Sequence, residues 1–215
     1  MFVGLPWKNV KRKWENAIDR LKIRSPLVFV IVGRDDIQDA RDLLDLIKLR
    51  MDSSSYAIFD ATAGNANVSL EYGYAEARDI KRALYISAHK ASQKAKDQPI
   101  ISDLAGKTRQ QYKNEPALKR LLGAFSASHP YTKRFESFLD QRFRGNPKGE
   151  KKRLRSLALK VIHSCDGNKS VRREDVIQQL LGDVSHYSRT EVDSMIKELH
   201  KAGLIYSKRG RYSTM

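Results

Sequence analysis

The chain has 215 residues, 40% hydrophobic and 31% charged, which suits a folded protein and excludes a disordered or collagen-like one. Its 41 Lys and Arg outnumber 25 Asp and Glu, and the net charge of +16 attracts polyanions such as nucleic acid or nucleotides. No run of about 18 apolar residues occurs, the N-terminus lacks an apolar block followed by a cleavage site, and the single cysteine, Cys165, can build neither an internal disulfide nor a cysteine zinc site.

These features predict a cytoplasmic protein with no membrane partner. Length favours a medium domain followed by a small one. The apolar run FVGL (2–5) ends in Gly4 and Pro6 and reads as a first strand. Val10, Trp14, Ala17, Ile18 and Leu21 then recur at helical spacing. LVFVIVG (27–33) reads as a buried parallel strand. Ile37, Ala40, Leu43, Leu44 and Ile47 return to the helical period. YAIFD (56–60) is a third strand, 68–80 a helix, and ALYIS (83–87) a fourth strand. This alternation predicts a parallel sheet covered on both faces.

The polar stretch 89–113 carries little pattern, apart from Ile100 and Ile101 as the start of a short fifth strand. Leu118, Leu121, Leu122 and Phe125 predict one helix; Phe135, Phe138 and Leu139 predict another. The segment RFRGNPKGEKKRLR (142–155) contains helix breakers and seven Lys or Arg, and reads as a basic linker that either lies along phosphates or is simply solvated. The expected division is an α/β domain over 1–145, a linker over 146–153, and a small domain over 154–215.

The final part has another rhythm. Leu154, Leu157, Val161 and Ile162 form one helical stripe. Ser170 precedes a second, with Val176, Ile177, Leu180 and Leu181. Ser188 and Glu191 have capping-box spacing and open a third, with Val192, Met195, Ile196 and Leu199. Gly203 closes it, and two short strands flank Arg209 and Gly210. Three helices and a basic hairpin form a winged helix-turn-helix pattern, with 14 Lys and Arg against 7 acidic residues over 151–215. Arg189, Lys197, Lys208, Arg209 and Arg211 are its candidates for nucleic-acid contact. Docking to a protein is the competing use of the same pattern.

Chemistry concentrates in YAIFDATAGNANVSLEYGYAEA (56–77). A strand ends at Asp60, a small-residue turn holds Gly64, Asn65 and Asn67, and a helix follows with Glu71 in or just past its first turn. In an open parallel sheet, ligands bind beyond the carboxyl ends of strands where strand order reverses. With order 2-1-3-4-5, the turn at Gly4 and Pro6 and the turn at Asp60 face one cleft. Helix-start amides would favour an ionised Glu71. Two carboxylates in such a cleft permit glycosyl chemistry, one as nucleophile and one handling a proton. A strand-end Asp is otherwise a turn former, and a Glu early in a helix otherwise a dipole partner in solvent. The five His have no zincin spacing, and P-loop and dinucleotide glycine motifs are missing. No metal or cofactor is expected. Trp14 reads as packing, and Trp7 as packing or as a pocket wall.

The segment D-x-T-x-G-N-x-N-V-x-x-E-x-G-Y-A, carried by Asp60, Thr62, Gly64, Asn65, Asn67, Val68, Glu71, Gly73, Tyr74 and Ala75, resembles the nucleoside 2-deoxyribosyltransferase-like superfamily. That group includes nucleotide N-glycosidases and neighbours TIR-like domains. The resemblance covers roughly residues 1–90 and implies a flavodoxin-like fold. It implies Glu71 as nucleophile at the sugar C1′ and Asp60 near base or sugar. It further implies Gly4, Pro6, Trp7, Gly64, Asn65 and Asn67 around a nucleoside, nucleotide or NAD substrate. The pairing with a winged helix is similar in architecture to anti-phage effectors that join a deoxyribosyltransferase-like toxin to a DNA-binding module. A homo-oligomer or a defence-complex partner fits this likeness. The alternative is a non-catalytic nucleotide-sensing DNA-binding regulator or adaptor.

Overall fold

The computed structural model describes residues 1–8, 10–32, 43–88, 108–165, 171–182, 187–208 and 211–214. The protein is mixed α/β, and its compact units comprise residues 1–19 with 29–122, and residues 20–28 with 123–215.

The first unit is built on a parallel sheet, β1 (Phe2–Gly4), β2 (Ala57–Asp60), β3 (Arg82–Ser87) and β4 (Arg109–Tyr112), in that spatial order. On the other side of β1, Val30 makes a parallel bridge to Phe2, with Val3 N–H to Val30 O and Val30 N–H to Met1 O both 2.8 Å. The lateral order is therefore the expected 2-1-3-4-5. The 27–33 run, expected as a full strand, pairs only at Val30 among its described residues, 27–32. The last strand is at 109–112; the expected start at Ile100 and Ile101 lies outside the described residues. β4 reads RQQY and buries only Tyr112, so it has no apolar run to betray it.

Alternation along the strands sorts side chains onto two faces. Phe2, Ala57, Phe59 and Leu84 join Val68, Tyr72 and Ala75 of α3 (Ala66–Ala77) and Met51 of α2 (Leu43–Asp52) in one core. Ile37 and Ala40 lie outside the described residues. The opposite face carries Ile58, Asp60, Tyr85 and Tyr112, against which Trp14 of α1 (Lys11–Lys22) packs edge-on, 5.6 Å from the Tyr85 ring and 6.4 Å from that of Tyr112. α1 and α3 thus cover different faces, and the chain leaves β1 and β2 in opposite directions. α4 (Glu115–Ser128) follows β4.

The second unit contains α5 (Pro130–Arg142), α6 (Lys148–Ser164), β5 (Val171–Arg172), α7 (Arg173–Gly182), α8 (Arg189–Lys201), β6 (Tyr206–Lys208) and β7 (Arg211–Ser213). Its core joins Phe135 and Leu139 of α5 to Leu157, Val161, Ile162, Val176, Ile196 and Leu199. The expected linker over 146–153 is helical from Lys148 onward. Pro147 stands at the N-cap and Gly149 in the first turn, where neither breaks a helix. The three-stranded sheet has order β5-β7-β6, both pairings antiparallel. β5 was not foreseen, and Ser170 before it lies outside the described residues.

The capping box at Ser188 is formed: its side chain accepts from Glu191 N–H, and Glu191 accepts from Ser188 N–H at 2.8 Å. At the far end of α8, Gly203 has φ +65°, donates to His200 O and lets Leu204 donate to Leu199 O, both at 2.9 Å. That pair of bonds satisfies carbonyls the helix cannot use itself. No described helix is long and apolar enough to cross a membrane.

Candidate functional site

The motif segment folds as a tight turn followed by a helix. After Asp60, residues Thr62–Gly64 make a short 3-10 turn in which Ala63 (φ 63°) and Gly64 (φ 59°) are both left-handed. Gly64 accepts this conformation freely, whereas Ala63 holds it at a cost of about 1 kcal/mol. The chain then becomes extended at Asn65, the N-cap of α3, whose side chain accepts from Asn67 N–H (3.0 Å) and Val68 N–H (3.2 Å). The Asn65 Oδ1 expected at substrate is thus engaged in capping. Asn67 is exposed.

Glu71 is the sixth residue of α3, beyond the first turn where helix-start amides act. The dipole argument for an ionised carboxylate therefore fails. Its environment works the other way. Oε2 is buried and has no hydrogen-bond partner among the described residues, and burial pushes the carboxyl up to about 7.

What makes room for it is Gly4. A Cβ at that position would stand 2.3 Å from Glu71 Oε2 and 2.7 Å from Phe59 Cδ1. Gly4 pairs with Phe59 in register. Phe59 in turn packs against Tyr72 with ring centroids 5.4 Å apart. The Glu71 carboxylate therefore lies against the end of β1, on the α3 face, where the chain leaves β1 and β2 in opposite directions. Leu5 and Pro6, which follow, are buried; Trp7 is 41% exposed, with Lys11 Nζ 3.9 Å from its ring centroid.

Asp60 does something else. It is fully buried and accepts from Trp14 Nε1 (2.6 Å), the Tyr112 hydroxyl (2.5 Å), Thr62 N–H (2.9 Å) and the Thr62 hydroxyl. Burial raises its pKa, and the bonds from Thr62, Tyr112 and Trp14 oppose that shift. The Tyr112 hydroxyl is pushed upward by burial and by the Asp60 charge. Thr62 Oγ1 also accepts from Ser87 N–H at 2.8 Å. The carboxylate thus ties the ends of β2, β3 and β4 to α1 and holds the turn that launches α3.

The expectation that Asp60 and Glu71 converge on one ligand is corrected by this geometry. They lie on opposite faces of the sheet, because Asp60 is one residue beyond Phe59 and strand side chains alternate. Reading by spacing missed Trp14, Tyr112 and Thr62 as Asp60's donors. A buried carboxylate requires donors, and Trp and Tyr supply them on apolar bodies.

In the second unit, Arg189 pairs with Glu174 at 2.7 Å and Lys197 with Asp193 at 3.0 Å. Both cations already have carboxylate partners. Arg211 is exposed. Arg209 lies outside the described residues, and Lys208 contributes backbone to β6. Among the described residues no cluster of three His, Cys, Asp or Glu could hold a metal ion.

Comparisons with protein-family models, with curated proteins and with solved structures gave no match to this chain.

Proposed function

We propose that the first unit is a nucleoside deoxyribosyltransferase-like domain with a flavodoxin-like fold that binds a nucleotide or nucleoside and cleaves its N-glycosidic bond. The observation that carries this reading is the Glu71 Oε2 atom, buried against Gly4 at a strand-order switch point without a hydrogen-bond partner among the described residues. Such crevices are where open α/β sheets take ligands. Desolvated carboxyls are costly, and they concentrate where chemistry uses them.

In this mechanism an ionised Glu71 oxygen attacks C1′. The C1′–N bond breaks, its electron pair stays on the base, and the base takes a proton from solvent. Water then attacks C1′, the carboxylate departs, and the water's proton is lost to solvent. Asp60 has no step here. It is a positioning residue that holds the turn before α3.

The second unit supports a winged helix-turn-helix reading through its helix order, capped α8 and closing hairpin. In that role it recruits the enzyme to nucleic acid, an architecture suited to an anti-phage effector. The binding-only alternative, a nucleotide sensor or adaptor, draws support from one fact: with Asp60 on the other face, it cannot act as a proton donor beside Glu71.

The test is incubation of the full chain, with and without DNA, against a panel of nucleosides, nucleotides and NAD. Free base is read by mass spectrometry. Release by wild type and its loss in Glu71→Gln is the expected result. Saturable binding with no release in either protein favours the sensor, and identical release by both removes Glu71 from the mechanism.

A further inference from the structure

Six described basic side chains of the second unit meet acids. Arg142 meets Glu198 (3.2 Å), Arg155 meets Glu136 (2.5 Å), and Arg153 pairs with Glu191 and Arg173 with Asp193; Arg189 and Lys197 are paired as given above. Of the cations without such a partner among the described residues, Lys133, Arg172, Lys201 and Arg211 are scattered over different elements, and one group is concentrated on a single helix. Lys148, Lys151 and Lys152, in the first turns of α6, are exposed, and none has a carboxylate partner among the described residues. Spaced i, i+3 and i+4, they share one helix face. Arg144, just upstream, is likewise exposed and unpaired among the described residues. Glu150 does not relieve them. It sits roughly 160° around the helix from Lys148, and its charge acts on Arg153.

This arrangement is unfavourable in the free protein. Like charges at these spacings repel, and cations near a helix start oppose its dipole. A polyanion laid along the face removes both penalties. A lipid surface is the poorer match, because membrane-seated helices also insert apolar side chains. Among the described residues, none of the exposed large hydrophobic side chains lies on α6.

We infer that the Lys148–Lys151–Lys152 face is where the second unit grips the phosphate backbone of a nucleic-acid duplex, without reading sequence. The inference rests on the nucleic-acid part of the proposed function. It moves the principal contact away from Arg189 and Lys197, which are held by their own acids.

The experiment measures binding of the full chain to a fluorescein-labelled random-sequence DNA duplex by anisotropy across a salt series. Each variant is checked by circular dichroism. Each lost phosphate contact lowers the log–log salt slope by about 0.9. The Lys148→Gln/Lys151→Gln/Lys152→Gln protein should therefore lose about two to three units of slope and bind at least tenfold more weakly. Arg189→Gln/Lys197→Gln should bind within about twofold of wild type. If the double variant loses as much as the triple, or the triple binds like wild type, this inference is overturned while the nucleic-acid reading stands. If wild type fails to bind duplex DNA or RNA, or binds only phosphatidylserine vesicles, both fall.

Discussion

Gly4 and Glu71 occupy each other's space: the carboxylate oxygen of one sits 2.3 Å from where a side chain on the other would begin. Phe59 blocks the neighbouring direction at 2.7 Å, so the clash cannot be relieved by a small shift toward β2. Gly4→Ala should expel the carboxylate. We expect a loss of about 1–3 kcal/mol in stability, in the range of overpacked cores, and a more than tenfold fall in base release. Denaturant unfolding and the mass-spectrometric assay read the two effects separately.

Glu71 should weaken the fold as it ionises. Its folded pKa, about 7, lies above the ordinary value of 4.5. Its contribution is therefore fully present below about pH 4.5 and is lost as pH rises through 7. The loss is up to about 3 kcal/mol. Glu71→Gln lacks this titration, so its stability relative to wild type should climb between pH 4 and pH 8. Urea unfolding at several pH values checks the sign.

The same titration should govern turnover. A nucleophilic carboxylate acts only when ionised, so kcat/KM should rise with pH around a midpoint near 7 and level off above it. A profile that falls across this range would mark Glu71 as a proton donor instead.

Asp60→Asn puts an amide N–H₂ among donors that all need an acceptor. Each donor left unsatisfied costs about 1–3 kcal/mol, and we expect a total loss of about 2–4 kcal/mol. Tyr112→Phe removes a single donor and should cost about 1 kcal/mol. At temperatures where Asp60→Asn remains folded, the pH profile of base release should keep its midpoint, because Glu71 lies on the other face. A shifted midpoint would place Asp60 in the site.

Apolar runs made β1, β2 and β3 legible, and the Ser188–Glu191 spacing marked the start of α8 without ambiguity. β4 was opaque because a strand with one buried residue needs no hydrophobic pattern. The start of α6 was opaque for the opposite reason. Gly and Pro read as breakers until the register shows Pro147 at a cap and Gly149 in a first turn. The motif located the candidate site but not its sidedness. That depended on which face α3 covers, and strand parity then separated Asp60 from Glu71. Gly4 was noticed as a turn residue, while its effect as empty volume emerges only with α3 laid across it.

The Asp60 cluster has an optical corollary. Trp14 donates its indole N–H to a carboxylate in a fully buried, tyrosine-lined setting, while the other tryptophan, Trp7, is 41% exposed just past the end of β1. The two emitters stand in opposite surroundings. Fluorescence from Trp14 reports the integrity of the sheet's carboxyl edge, and quenching of Trp7 reports what arrives beside Gly4, with no label added.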